Sequence, residues 1–274
     1  MKDMALEKIL ITGDTHSRVA DRLSRIRDNM PEYEPEKTAV IVLGDLGLSY
    51  YLGKKDYKNK KEASAYSYTI YAVKGNHEAR PSEKLGMKLI YDPFVNGVVW
   101  IEDEFPLIRY FCDWGIYNIL GRRTLVIGGA YSVDKWYRLQ NGWNWFPDEQ
   151  LTQWEMDACY RNAVGYAHFD LILTHTCPRS VQPTDLFLRS IDQSMVDSSM
   201  EIWMDKLFSN LSFGVHCFGH YHADRIEQPH VEQFYTEIED LETIEARWKR
   251  YDETGELDWW LPLSPSFQKI MNKN

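Results

Sequence analysis

Apolar positions along this chain fall into short blocks separated by charged and turn-forming residues. Residues 8–13 (Lys-Ile-Leu-Ile-Thr-Gly) and 38–44 (Thr-Ala-Val-Ile-Val-Leu-Gly) are apolar runs too short for helices, and they read as buried strands. Between them, residues 18–29 carry Val19, Leu23 and Ile26 at helical spacing among charges, and Pro31 ends the helix. Two strands joined by a helix form a parallel βαβ unit. Residues 54–61 are basic and solvated, a loop or a helix face. Residues 68–74 alternate as a third strand.

From Val98 to Gly129 the pattern changes. Residues 98–101, 107–112, 116–120 and 124–128 are β-type runs separated by Gly, Asp-Trp-Gly and Gly-Arg-Arg, which predicts an antiparallel hairpin array. An aromatic segment, residues 131–146, follows. Residues 149–164 then predict a helix capped by Asp148 after Pro147, and residues 169–174 a strand. A helix over 200–211, with Ile202, Leu207 and Leu211 on one side, leads to a strand over 213–218. A last strand over 231–238 and a charged helix over 241–250 complete the pattern. The tail Trp259-Trp260-Leu261-Pro262 is apolar; docking onto the domain or an oligomer contact suits it better than ligand binding. With no repeat and no low-complexity linker, residues 1–274 read as a single domain with a C-terminal extension from about residue 240.

Composition narrows the classes. A hydrophobic fraction of 44%, with 10 Trp, 17 Tyr and 11 Phe in 274 residues, supports a substantial core and argues against disorder. The net charge of −10 disfavours long duplex nucleic acid and anionic membrane as partners. An anionic substrate remains compatible, because bound cations invert the local field. Cys112, Cys159, Cys177 and Cys217 form no Cys-x-x-Cys pair, so neither a disulfide framework nor a thiolate zinc site is expected. The first ten residues lack the apolar stretch of a signal peptide, and no run is long enough for a membrane span. The setting expected is reducing and cytoplasmic.

Candidate chemistry lies at the strand ends. Five short motifs, four of which hold five of the eight histidines, stand out: Gly13-Asp14-Thr15-His16, Gly44-Asp45, Gly75-Asn76-His77-Glu78, Thr174-His175 and Gly219-His220-Tyr221-His222. Imidazole nitrogens and carboxylate oxygens are ligands that first-row divalent metals prefer. An Asp-x-His pair at a strand end can bring both side chains to one ion, and in His-x-His both rings point the same way if the backbone is extended. Preceding glycines let the backbone turn sharply there. One such motif is weak; five in series point to a metal-dependent hydrolase.

In kind and order these motifs resemble the calcineurin-like metallophosphoesterase superfamily, and the stretch from Gly128 to His222 looks most like uncharacterised bacterial and phage members. The resemblance implies an α/β fold, a four-layer αββα sandwich of two mixed β-sheets flanked by helices, with the site at strand C-terminal ends. It further implies two divalent metal ions. Asp14, His16 and His222 would hold one, and Asn76, His175 and His220 the other, with Asp45 bridging. Ions roughly 3.5–4 Å apart clamp the attacking and leaving oxygens of a phosphoryl group, and a bridging water is acidified to attack phosphorus. Mixed N/O ligation suits Mn, Fe or Zn. His77 is the implied catalytic residue outside the metal shell. In the Ser/Thr protein phosphatase branch an Asp and an Arg shortly after the bridging Asp serve that histidine. Here Leu46-Gly47-Leu48-Ser49 follows Asp45, which speaks against that branch and leaves only Glu78 as a weak candidate partner.

Four residues are candidates for substrate binding. Arg80 could hold a phosphate oxygen, as could Lys135 or Arg138, and Tyr131 could stack on a base. The function expected is hydrolysis of mono- or diesters of a small, nucleotide-like phosphate ester. The alternatives are a cyclic-nucleotide or nuclease-like phosphodiesterase, or a metal-stabilised binding protein without activity.

Overall fold

The computed structural model of the chain describes residues 6–257 and 262–271, apart from the side chains of Ser266, Lys269 and Ile270. Trp259 and Trp260 lie outside the described residues, as do residues 1–5. Apolar runs in the first half form the centre of a seven-stranded sheet. β1 (Lys8–Thr12), β2 (Thr38–Val42) and β3 (Thr69–Ala72) pair in parallel. β4 (Met87–Asp92) and β5 (Gly97–Glu102) form an antiparallel hairpin, joined to the sheet by β6 (Ile108–Phe111), which runs parallel to β3.

The second sheet has six strands. β7 (Trp114–Ile119) and β8 (Arg122–Ile127) make an edge hairpin, followed by β9 (Phe169–Thr174) and β10 (Phe213–Phe218), both parallel to β8. β11 (Arg225–Gln228) and β12 (Val231–Gln233) finish its other side, and β13 (Ile238–Asp240) returns to the first sheet beside β1.

Packing explains why the central strands read as unbroken apolar runs: both faces are covered. Ile9, Ile11 and Ile41 meet Val126, Leu171 and Val215 between the sheets. On the opposite face of the first sheet, Leu10, Val40 and Val42 pack on Val19, Leu23 and Ile26 of α1 (Val19–Asn29), with Ala63 of α2 (Lys54–Ser64) alongside. The short α3 (Lys135–Gln140) precedes α4 (Gln153–Ala163) and α5 (Ser199–Phe208). These last two cover the second sheet through Met156, Cys159, Met200 and Met204. α6 (Leu241–Thr254) inserts Ile244 and Trp248 into the intersheet core, where Phe267 of α7 (Pro265–Met271) joins them. The arrangement is the four-layer αββα sandwich expected. Among the described residues no helix is long and apolar enough to cross a membrane.

Several expectations need correction. The predicted hairpin array is divided between the sheets and includes β4, for which no strand was expected. β4 is an edge strand whose Leu89 and Tyr91 face solvent, so its apolar positions give no inward alternation. The single strand predicted over 231–238 is two strands in different sheets. The Asp224 carboxylate accepts from the backbone N–H of Tyr235, Thr236 and Glu237, at 2.6, 2.9 and 3.0 Å, and turns the chain there. α4 starts later than predicted and Asp148 is not its cap. Thr152 Oγ1 accepts from the Glu155 N–H while the Glu155 carboxylate accepts from the Thr152 N–H, a reciprocal capping box. α6 runs on to Thr254, where Gly255 takes the left-handed conformation that closes helices.

Candidate metal centre

Each of the five motifs follows the C-terminal end of a parallel strand: β1, β2 and β3 in one sheet, β9 and β10 in the other. The sheets pack so that these ends converge. His16, Asp45, His220 and His222 all have left-handed backbone, with φ of 44, 47, 69 and 54°. Such conformations are uncommon outside glycine and persist where surroundings hold them. Here the Asp45 carbonyl accepts from the N–H of Thr15 and His16, at 3.1 and 2.8 Å, tying two motifs together. Gly44 is required by contact as well as by its φ of +92°: a Cβ there would lie 1.9 Å from His175 Nδ1.

Donor atoms face one another across the cleft. His16 Nε2 and His222 Nε2 are 2.9 Å apart. Asp14 Oδ2, buried and without a hydrogen bond, lies 3.2 Å from His222 Nε2 and 3.9 Å from His16 Nε2. On the other side, His175 Nδ1 donates to the Leu43 carbonyl at 2.8 Å, which presents Nε2 to the cleft. That nitrogen faces Asn76 Oδ1 at 2.8 Å. The Asn76 amide is held in this orientation because Nδ2 donates to Ser132 Oγ, which donates to the buried Glu149 carboxylate. Asp45 stands between the two groups, Oδ2 at 3.9 Å from His16 Nδ1 and Oδ1 at 3.6 Å from His175 Nε2. The His220 ring packs edge-on to His175 at 4.9 Å, and the His220 backbone N–H donates to Asp14 Oδ1 at 2.9 Å.

Imidazole nitrogens and an amide oxygen crowded around a buried carboxylate oxygen that makes no hydrogen bond are the donor set of a cation site. In three overlapping groups, Asp14 with His16 and His222, His16 with Asp45 and His77, and Asp14 with Asp45 and His175, all donor atoms lie within 4.8 Å of one another. The donors present therefore fit divalent metal binding. Electrostatics agree. Burial alone would raise the Asp14 carboxyl, but the neighbouring His222 and His175 imidazoles hold it below its ordinary value. Burial also opposes ionisation of Asp45, yet His175, His77 and His16 lower it further still. Burial, reinforced by His175, drives the His220 imidazole down to about 3, leaving it a neutral donor of lone pairs.

A family model described as calcineurin-like phosphoesterase matches residues 7–224. The chain belongs to the calcineurin-like phosphoesterases. No curated protein matches it. Among solved structures, TT1561 of Thermus thermophilus is similar at 14% identity and a TM-score of 0.40, over 78% of this chain and 82% of that one. Phosphopantetheinyl hydrolase of Mycobacterium tuberculosis is similar at 14% identity and a TM-score of 0.42, over 92% and 94%.

Around the metal-donor groups of this phosphoesterase the remaining candidates divide. His77 lies at the centre, its ring 5.1 Å from that of His16 and its N–H bonded to Asp45 Oδ1 at 2.7 Å. Glu78 is not its partner: its Oε1 accepts from the Gly75 N–H at 2.9 Å, and it is buried away from the ring. The carboxylate nearest the ring is Asp134, whose Oδ1 is 3.8 Å from His77 Nε2 and 3.0 Å from Arg138 Nε. Asp134 carried no motif signal; only its spacing of one helical turn from Arg138 hinted at a pair. Burial pulls the His77 ring below its ordinary value, with Asp45 and Asp134 opposing and Arg138 assisting.

Tyr131 lines the cleft beside Asn76 and His77, and Arg138 lines it next to His16. Arg80 does not reach the cleft. Its Nη1 donates to Glu155 at 2.8 Å and its Nε lies 3.4 Å from Asp113 and 3.7 Å from Asp148, so folding has already satisfied its charge. Lys135 also points elsewhere, its Nζ 3.9 Å above the Trp145 ring.

Proposed function

We propose that this phosphoesterase is a dinuclear hydrolase of small, soluble phosphate esters, acting in a reducing, cytoplasmic setting. The observation that carries this reading is the convergence of metal-ligating atoms, His16 and His222 beside Asp14 and His175 on Asn76, with the Asp45 carboxylate between them. Asp14, His16 and His222 would hold one cation and Asn76, His175 and His220 the other, with Asp45 shared; Mn, Fe or Zn suit these donors. When bound, the cations neutralise phosphoryl charge and acidify water.

The chain's own residues supply the rest. His77 holds a proton for the leaving oxygen, work typically worth about 10²–10⁴ in rate. An arriving phosphate dianion raises its imidazole toward protonation. Asp134, itself gripped by Arg138, orients the ring and favours its charged form. The Tyr50 ring, 27° from parallel with His77 at 6.2 Å, limits how far it can swing.

Purified protein loaded with Mn(II) should hydrolyse p-nitrophenyl phosphate or bis-p-nitrophenyl phosphate, with activity lost in EDTA and in Asp45→Asn. His77→Ala should keep its metal content and lose turnover. Absence of metal-dependent hydrolysis of either ester, with the metals bound, would defeat the proposal.

A further inference from the structure

Two cavities open on the metal centre, and His77 and Asp134 form walls of both. The first, of 370 Å³, is lined by the rings of Tyr50, Tyr51 and Trp143 beside His16. Trp143 is 52% exposed and packs edge-on with the Tyr137 ring at 5.6 Å. The second, of 380 Å³, has Asp45, Asn76, His220 and His222 among its walls and continues between Val133, Leu186, Phe187, Leu188 and Ile191. Several of its polar members are turned to protein partners, while Glu201 Oε2 is buried without one. Gln182 donates to the Tyr221 hydroxyl, Gln193 to the Ile191 carbonyl, and Glu201 accepts from Thr176. What this cavity offers a guest is mostly hydrocarbon. Leu188 stands 60% exposed at its side, a clustered apolar surface that a guest would cover.

Each volume suits one substituent of a ligand. A monoester has one substituent and would leave one cavity idle. We propose that the substrate class is a phosphodiester with unlike arms: a planar aromatic group on one ester oxygen and an aliphatic chain on the other. The aromatic arm lies among Tyr50, Tyr51 and Trp143, and the chain lies against Leu186, Phe187, Leu188 and Ile191. This rests on the hydrolytic reading above. Hydrolysis adds one water: its oxygen joins phosphorus, one P–O ester bond breaks, and a proton goes to the departing alcohol, leaving a monoester.

The test compares methyl p-nitrophenyl phosphate with hexyl p-nitrophenyl phosphate on the Mn(II)-loaded protein. Each buried methylene contributes about fourfold in affinity, so with partial burial kcat/KM should favour the hexyl ester by about 30-fold. Leu188→Asp with Ile191→Asp should bring that ratio near one. Trp143→Ala should lower kcat/KM for both esters by roughly tenfold, because the aryl arm is common to them. Calorimetric binding of hexylphosphonate against methylphosphonate gives a second readout that needs no turnover, with the same preference and the same loss in the double variant. A flat chain-length profile, a preference that survives Leu188→Asp with Ile191→Asp, or faster hydrolysis of hexyl phosphate than of the diester would overturn the proposal. If neither ester is hydrolysed, the hydrolytic reading fails, and the phosphonate preference still decides whether the apolar cavity binds a chain.

Discussion

Replacing Gly44 by alanine tests the packing of the candidate metal centre apart from ordinary backbone strain. At a φ of +92° an L side chain is strained wherever it sits, by about 1–2 kcal/mol. The added Cβ would also fall 1.9 Å from His175 Nδ1, 2.4 Å from Cγ and 2.8 Å from Cε1. Since non-bonded heavy atoms settle near ~3.5 Å, the ring must retreat by roughly 1.5 Å. Retreat breaks its donation to the Leu43 carbonyl and carries Nε2 away from Asn76 and Asp45. A buried hydrogen bond lost costs about 1–3 kcal/mol, and overpacking a similar amount. With strain, the sum is roughly 3–8 kcal/mol. Gly121 provides the control. Its φ is +85°, yet nothing lies within 4 Å of the Cβ an alanine would add. Gly121→Ala should therefore cost only the strain, about 1–2 kcal/mol. Urea unfolding of the EDTA-treated proteins measures both costs. Calorimetric titration with Mn(II) should show Gly44→Ala binding about 10–100-fold more weakly and Gly121→Ala unchanged. Equal stability losses and equal affinities in the two variants would refute the placement of His175 against Gly44.

Ser132→Ala removes the acceptor that fixes the Asn76 amide, at 2.8 Å from Nδ2; Mn(II) affinity should fall by about 10–100-fold, and an unchanged titration would sink the chain from Glu149 through Ser132 to Asn76. Asp134→Asn should slow turnover by roughly tenfold with KM little changed, since a charge on a partly exposed carboxylate 3.8 Å from a largely buried imidazole is worth about 1 kcal/mol. The same change in a His77→Ala background should do nothing further, and additive losses would show that Asp134 does not act through His77. Glu201→Gln addresses pH. Burial, only partly offset by the Thr176 hydrogen bond, pushes the Glu201 carboxyl up to about 7 from 4.5. A folded value above the unfolded one favours the protonated acid, so its contribution is full below pH 4.5 and is lost as pH rises through about 7. The variant should therefore gain on the wild type between pH 5 and pH 8, by at most about 3 kcal/mol. Parallel stability curves in urea at the two pH values would contradict the burial of that carboxyl.

The strands that carry the site were legible in the sequence because they sit at the middle of covered sheets. Leu10, Val40 and Val42 face α1 while Ile9, Ile11 and Ile41 face the other sheet, so no polar residue interrupts the runs of β1 and β2. Each run ends where glycine, Asp, Asn or His begins, and that junction is a local property. β4 had no such signature, and neither did the turn that Asp224 imposes before β13.

The same division runs through the site. Asp14, His16, Asp45, Asn76, His175, His220 and His222 could be read one at a time, since each stands in a motif of its own. Their mutual contacts depend on how two sheets face each other, which no single motif encodes. Arg80 shows the consequence. Its position three residues after His77 invited a role in phosphate binding, but Asp113 follows β6 and Glu155 rides on α4, and only the folded chain brings both to its guanidinium. Asp134 is the converse: an ordinary surface carboxylate by sequence, set beside His77 because α3 begins at the rim of the cleft. Donor identity is thus a matter of strand ends, whereas the partner of each donor follows from the packing between layers. The Gly44–His175 contact joins the two, since a glycine that reads locally as a turn is required by a ring delivered from the opposite sheet.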